Sequence, residues 1–216
     1  FGSAGLGLFI HWGISSVHGG IDISWGMMAN TPWDADLGNR NKIAPEEYFQ
    51  LADRFAPDQY DPDHWLAPAA KAGFAYAVMT TRHHDGYAMW PSEQGAFGTR
   101  THLRGRDLVQ PYVEACRRNG LKVGLYYSPP DWCRNCQYMS FNYGSGANGR
   151  FPDRPDFGLR HEPTTITPKP EGWDERYQNY IREQVVELVT RYKPDLLWFD
   201  GGPAVMSIAD IRRFNP

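Results

Sequence analysis

No stretch of the 216 residues approaches the ~20 consecutive apolar residues that a membrane-spanning helix requires. An excess of one charge is also missing. Lys and Arg number 22 against 25 Asp and Glu, leaving a net charge of −3, so the composition offers no footprint for nucleic acid or an anionic membrane surface. Glycine and proline, 22 and 17 residues, stay below the ~25–30% that marks low-complexity chains. Disorder, collagen-like structure and membrane spans are thereby excluded. No charged segment followed by an apolar run and a small-residue cleavage site opens the sequence, so no signal peptide is visible. Phe1 to Gly7 instead run straight into an apolar segment, as though the start were trimmed. Aromatic residues are abundant, at 14% of the chain, and such rings serve cores and sugar-binding faces alike.

Cysteine is scarce. Three residues make no disulfide framework, and an odd number leaves at least one unpaired. Cys133 and Cys136 form a Trp-Cys-X-X-Cys sequence resembling a redox motif. That chemistry needs a strand before and a helix directly after, whereas Gln137 to Arg150 is Gly- and Asn-rich. Loop cysteines or a local disulfide are expected, and with no second CXXC a two-pair metal site is not.

Four apolar segments of strand length are expected: Leu6–Trp12, Phe74–Thr81, Lys122–Tyr127 and Leu196–Asp200. Helical patterns lie between them. Pro45–Phe55 comes first; Asp61 and Pro62 then open a helix that runs to Ala72 and stops at Gly73. Asp107–Asn119 carries an apolar stripe of Leu108, Val109, Tyr112, Val113 and Cys116, and Asp174–Tyr192 is patterned likewise. A further helix begins near Ser207. This β-α alternation means parallel strands joined by right-handed crossovers. Two long polar loops, Ser15–Ala44 and Ser128–Gly172, follow the first and third strands, on the face where parallel α/β folds place their sites. No internal boundary is visible, so residues 1–216 are expected to form part of one domain. No G-X-G-X-X-G or Walker sequence follows a strand, so phosphate cradling has no motif. Eight β/α units typically need ~250 residues; four are present, which leaves half a barrel or a small open sheet.

Chemically capable residues stand at the C-terminal ends of all four strands: His11, then Arg82-His83-His84-Asp85, then Tyr126-Tyr127-Ser128, and Asp200. Four strands converging in this way predict a shared active site. Period two assigns their faces. Leu196, Trp198 and Asp200 share one side of the last strand, and a carboxylate cannot enter an apolar helix layer unpaired. Asp200 and Trp198 therefore face inward, as do Gly124 and Tyr126, and Phe9 and His11. If the chain is extended there, His83 and His84 point to opposite sides, which would leave one of them structural.

The motifs Gly7-Leu8-Phe9-Ile10-His11-Trp12-Gly13, Thr80-Thr81-Arg82-His83-His84-Asp85-Gly86-Tyr87, Gly124-Leu125-Tyr126-Tyr127-Ser128 with Asp131-Trp132, and Leu197-Trp198-Phe199-Asp200-Gly201 occur in one order spanning nearly the whole chain. Together they resemble the α-L-fucosidases of glycoside hydrolase family 29. The resemblance implies a (β/α)8-like TIM barrel, of which this chain supplies about the first four β/α units. It also implies a retaining hydrolysis of terminal α-L-fucosyl residues on glycoconjugates or polysaccharides, with no metal or cofactor. By resemblance Asp200 is the nucleophile; His11, His83 and His84 bind fucose hydroxyls; Phe9, Tyr126 and Trp198 line the pocket for the C5 methyl; and Trp25 contacts the sugar. Some family members carry a glutamate just before that tryptophan, where this chain has Ser24. The acid/base lies beyond the strand-four aspartate in the family, so it is expected outside this chain, and Asp85, Asp131 and Glu162 match no such role. Four strands alone would leave an open barrel edge. The family is mostly secreted, periplasmic or lysosomal; the sequence itself states no compartment and no oligomeric state. The competing readings are a noncatalytic fucose-binding module and a metal-dependent barrel hydrolase or sugar isomerase using His11, His83 and Asp200.

Overall fold

The structure is a computed structural model that describes residues 5–33, 42–146, 151–202 and 205–214. Strands β1 (Gly7–Ile10), β2 (Tyr76–Arg82), β3 (Lys122–Tyr127) and β4 (Leu196–Phe199) form one sheet in the order β1-β2-β3-β4. Every pairing is parallel. Helices α1 (Pro45–Arg54), α2 (Asp63–Lys71), α3 (Thr99–His102), α4 (Val109–Arg118), α5 (Trp173–Tyr192) and α6 (Ile208–Phe214) follow the strands. The expected elements are all present, and the single turn of α3 is an addition that the hydrophobic pattern did not signal. Helix starts follow local chemistry. Asp107 accepts the N–H groups of Val109 and Gln110, Ser207 accepts that of Asp210, and Pro45 occupies the first turn of α1. None of the described helices is long and apolar enough to cross a membrane.

The register divides the sheet into two faces. Leu8, Ala77, Met79, Leu125, Tyr127 and Phe199 turn outward into the helix layer, where they join the apolar core with Tyr112, Val113, Val185 and Leu188. Phe9, Val78, Gly124, Tyr126 and Trp198 share the other face. Strands three places apart in a flat sheet would be separated by roughly 14 Å. Yet the Phe9 ring of β1 meets the Trp198 ring of β4 edge to face at 5.6 Å between centroids. The sheet is curled, with this face concave, as the wall of a barrel is. Phe9 and Trp198 remain 43% and 45% exposed on it.

Glycines make room on the concave side. A Cβ on Gly7 would stand 2.1 Å from the Tyr76 ring, and one on Gly124 would stand 2.7 Å from Val78. The two long loops cover the C-terminal end of the sheet and pair with each other. Ala29 N–H donates to the Phe141 carbonyl and Tyr143 N–H donates to that of Ala29. Residues 34–41 and 147–150 of these loops lie outside the described residues.

Candidate active site

The end of β2 builds the centre. The β2–β3 register shifts between Thr80 and Arg82, so Arg82 turns into the helix layer while the following histidines leave the strand. His83 and His84 therefore do not lie on opposite sides. Their rings stand 4.4 Å apart, and both offer a ligand atom to a cluster with Asp200 in which all three atoms lie within 4.8 Å of one another. The split expected for an extended chain does not occur, because β2 ends at Arg82, just before the pair.

Asp200 follows β4 directly, its N–H donating to the Tyr127 carbonyl at 3.3 Å. Its carboxylate Oδ2 accepts the O–H of Tyr126 at 2.6 Å. The helix that follows is capped by Ser207, so Asp200 does not cap α6. Burial and this carboxylate keep the Tyr126 phenol well above its ordinary pKa, protonated and a donor.

The histidines are held from behind. His83 Nδ1 pairs with Ser24 Oγ at 2.6 Å, and the same oxygen accepts the Asp85 N–H. His84 Nδ1 pairs with Ser128 Oγ. Among the described residues no hydrogen bond takes up Nε2 of either ring. Burial, with His84 and His11 adding to it, pushes His83 down to about 2. Burial takes His84 down to about 4, opposed in part by the Asp200 carboxylate. Both rings are neutral at physiological pH, and a neutral imidazole donates on one nitrogen and accepts on the other.

His11 lies at the open edge, its ring against Phe9, His83 and Tyr126 at 4.7 to 5.8 Å. Burial of the packed side lowers its pKa, with Asp22 and Asp200 opposing. Thr80 fixes the end of β1 by accepting the Trp12 N–H at 3.0 Å. Phe9 packs edge to face on both Tyr126 and Trp198, giving an apolar wall beside the carboxylate. Trp25 also reaches the site, its ring 5.5 Å from His84 and perpendicular to it. All eight residues singled out in the sequence thus stand around one hollow or on its rim.

Several supports had no distinct sequence signal. Ser24 is fully buried in a long polar loop, and only its contacts with His83 and Asp85 disclose its place. Gly201, at φ +75°, would put a Cβ 2.7 Å from His84 Cε1 and 3.3 Å from Pro130 Cγ. Arg82 is fully buried. It donates to Tyr127 Oη, to Gln184 Oε1 and to the Pro130 carbonyl, and lies 3.5 Å from Asp131. It therefore pins the Pro129–Asp131 turn that packs on Gly201 and Gly202.

Three carboxylates of the mouth loops, Asp85, Asp131 and Glu162, are engaged with other partners. Asp85 accepts from Tyr48 Oη at 2.7 Å and from the Tyr87 N–H, and burial pushes it up to about 6. Asp131 accepts from Tyr180 Oη and the Arg134 N–H as well as facing Arg82. Glu162 accepts the Arg160 N–H. Cys133 and Cys136 are free thiols whose pKa values burial raises. The activated thiolate of a redox motif is the opposite condition.

A family profile described as Alpha-L-fucosidase matches residues 1–210. The chain is 29% identical over 212 residues to a tissue alpha-L-fucosidase of Bos taurus, covering 93% of this chain and 38% of that one. Among solved structures, alpha-L-fucosidase isoenzyme 1 from Paenibacillus thiaminolyticus superimposes with a TM-score of 0.66 at 32% identity, over 96% of this chain and 43% of that one. A family 29 enzyme of Bacteroides thetaiotaomicron, trapped as a covalent intermediate with 2-fluoro-fucosyl fluoride, gives a TM-score of 0.62 at 26% identity, over 91% of this chain and 39% of that one. The chain thus spans about two fifths of the length of these relatives, and its curled parallel sheet corresponds to about the first four β/α units of their catalytic TIM barrel.

Proposed function

The chain belongs to the α-L-fucosidase family, and from that premise we propose that it carries the nucleophile side of a retaining α-L-fucosidase site, acting on terminal α-L-fucosyl groups of glycans. The observation that carries the proposal is the placing of Asp200. Its carboxylate is oriented by the Tyr126 hydroxyl, clustered with two neutral histidines and flanked by the Phe9–Trp198 wall.

In the first step an Asp200 oxygen attacks the anomeric carbon as the glycosidic C–O bond breaks. The leaving oxygen takes a proton from a carboxylic acid, and the fucosyl group is left as an ester on Asp200. In the second step the conjugate carboxylate removes a proton from water, whose oxygen displaces Asp200 and returns the sugar with its original configuration. By the family resemblance the second carboxyl lies beyond the strand-four aspartate; Asp85, Asp131 and Glu162 are each tied into the loop structure. His11, His83 and His84 bind the ring hydroxyls, and Phe9, Tyr126 and Trp198 receive the C5 methyl, whose burial is worth roughly 1 kcal/mol. Trp25 closes the rim over the sugar.

The donor set His83, His84 and Asp200 also suits a divalent cation, which keeps a metal-dependent hydrolase or isomerase as the second reading. NMR of the full-length protein acting on an aryl α-L-fucoside distinguishes them. The α-anomer of fucose appears first under the retaining account, and chelator leaves the rate unchanged. A β-anomer appearing first, or loss of turnover with chelator, contradicts it.

A further inference from the structure

Behind the His83 ring, the fully buried Ser24 stands where the position of the imidazole proton is decided. Ser24 Oγ lies 2.6 Å from His83 Nδ1 and accepts the Asp85 N–H at 2.9 Å. A hydroxyl has one proton and two lone pairs, and the Asp85 N–H takes one of the pairs. The contact with His83 then runs one of two ways. If Ser24 donates to Nδ1, the ring carries its proton on Nε2 and offers a donor to the hollow. If Nδ1–H donates to Ser24, Nε2 is an acceptor instead, and the Ser24 proton needs an acceptor of its own.

The side of Ser24 away from the ring supplies that acceptor. Asp85 is buried there, its Oδ2 accepting from Tyr48 Oη at 2.7 Å and its Oδ1 from the Tyr87 N–H at 2.8 Å. Burial and this carboxylate keep the Tyr48 phenol protonated. Its one proton goes to Asp85, so the phenol oxygen is left to accept. The Ser24 hydroxyl adjoins both the phenol and the carboxylate, opposing at each the pKa rise that burial causes. An ionised carboxylate only accepts, and in a buried network it turns neighbouring hydroxyls toward itself. With its proton on this side, Ser24 uses both lone pairs and its proton, and His83 holds its own proton on Nδ1.

We propose that Ser24 is a positioning residue that fixes His83 as the Nδ1–H tautomer, so that Nε2 accepts a hydrogen bond from a hydroxyl of the fucosyl ring. The inference rests on the fucosidase reading of Asp200 and deepens it. Asp85 acts only through Ser24 and Tyr48, without touching the sugar. His84 lacks this arrangement: its Nδ1 faces Ser128, whose hydroxyl has the Pro130 carbonyl at 3.4 Å. The second histidine therefore serves as an internal control.

The test is NMR of the full-length protein labelled with 15N-histidine, its His83 signals assigned from a His83→Gln sample. The parent should show a protonated Nδ1 and an unprotonated Nε2 on His83. Ser24→Ala should move the His83 proton toward Nε2 while the His84 pattern stays as in the parent. The same variant should raise KM for an aryl α-L-fucoside by about tenfold, the effect of one misdirected hydrogen bond, with kcat nearly unchanged. Ser24→Thr, which keeps the hydroxyl, should restore both the tautomer and KM. A parent whose His83 proton sits on Nε2 would overturn the proposal, and this reading needs no variant to fold. A raised KM in Ser24→Ala with the His83 pattern unchanged would overturn it too, because Ser24 would then be structural only. A parent with the expected tautomer that cleaves no α-L-fucoside would instead overturn the fucosidase reading, and the recognition of a fucosyl hydroxyl with it.

Discussion

The Tyr126 hydroxyl donates to Asp200 Oδ2 at 2.6 Å, from the strand next to the one that delivers the aspartate. A hydrogen bond to a charged group is worth about 1.5–3 kcal/mol, and this one also fixes which oxygen remains for attack. Tyr126→Phe keeps the ring against Phe9 and His83 and removes only the donor. It should lower kcat for an aryl α-L-fucoside by about 10–100-fold, with a melting temperature within a few degrees of the parent. An unchanged kcat would show that the hydroxyl does not position the carboxylate.

Gly201 is a second mechanical link between the nucleophile and its neighbours. Its positive φ and the 2.7 Å approach of His84 Cε1 to the position of a Cβ leave no room for a side chain. Gly201→Ala should cost about 1–3 kcal/mol in strain and displace His84 from Asp200, reducing kcat/KM by at least about 100-fold. At Gly202 the nearest atom, Pro129 Cβ, is 3.4 Å away, so Gly202→Ala should be the milder change in both assays. The reverse ranking would count against the packing described.

Arg82 is enclosed with Asp131, Gln184 and Tyr127. Arg82→Met leaves the buried Asp131 carboxylate without its cation, and breaking a buried pair in this way costs about 3–5 kcal/mol. Chemical denaturation should show that loss. A cost below about 1 kcal/mol would mean that the ion pair is not formed.

His84 sets a pH dependence. Its pKa falls from an ordinary 6.5 to about 4 in the fold, so between those values the unfolded chain holds a proton that the folded one does not. Its contribution to stability is complete above pH 6.5 and is lost as pH falls toward 4, by on the order of 3 kcal/mol. Unfolding free energies measured from pH 7 to pH 4 should decline more steeply for the parent than for His84→Gln. Identical slopes would contradict the burial of a neutral imidazole.

How much of this was legible beforehand depended on the kind of signal. Period-two alternation placed Phe9, Tyr126, Trp198 and Asp200 on one face because parallel strands in register keep their side-chain directions, and the structure has them there. The His83-His84 pair escaped that rule, since the register shift and the end of β2 at Arg82 turn the chain before the alternation applies. Ser24 and Arg82 carried no legible role. One sits in a short 3-10 helical turn within the first long loop, the other next to a histidine motif, and they act through partners 59 and 102 residues away in sequence. Trp25 was legible as a site residue only through resemblance; its contact with His84 follows from the pairing of two loops that no local pattern encodes.

The nucleophilic role of Asp200 is the claim on which the rest depends, and one measurement tests it most directly. The full-length protein and its Asp200→Gly variant would be assayed on an activated aryl α-L-fucoside, with azide then added to the variant. The account predicts that turnover collapses and that azide restores it, yielding β-L-fucosyl azide, because the small anion attacks from the space the carboxylate vacated. Turnover that survives the substitution, or collapses without an azide product of inverted configuration, would contradict it.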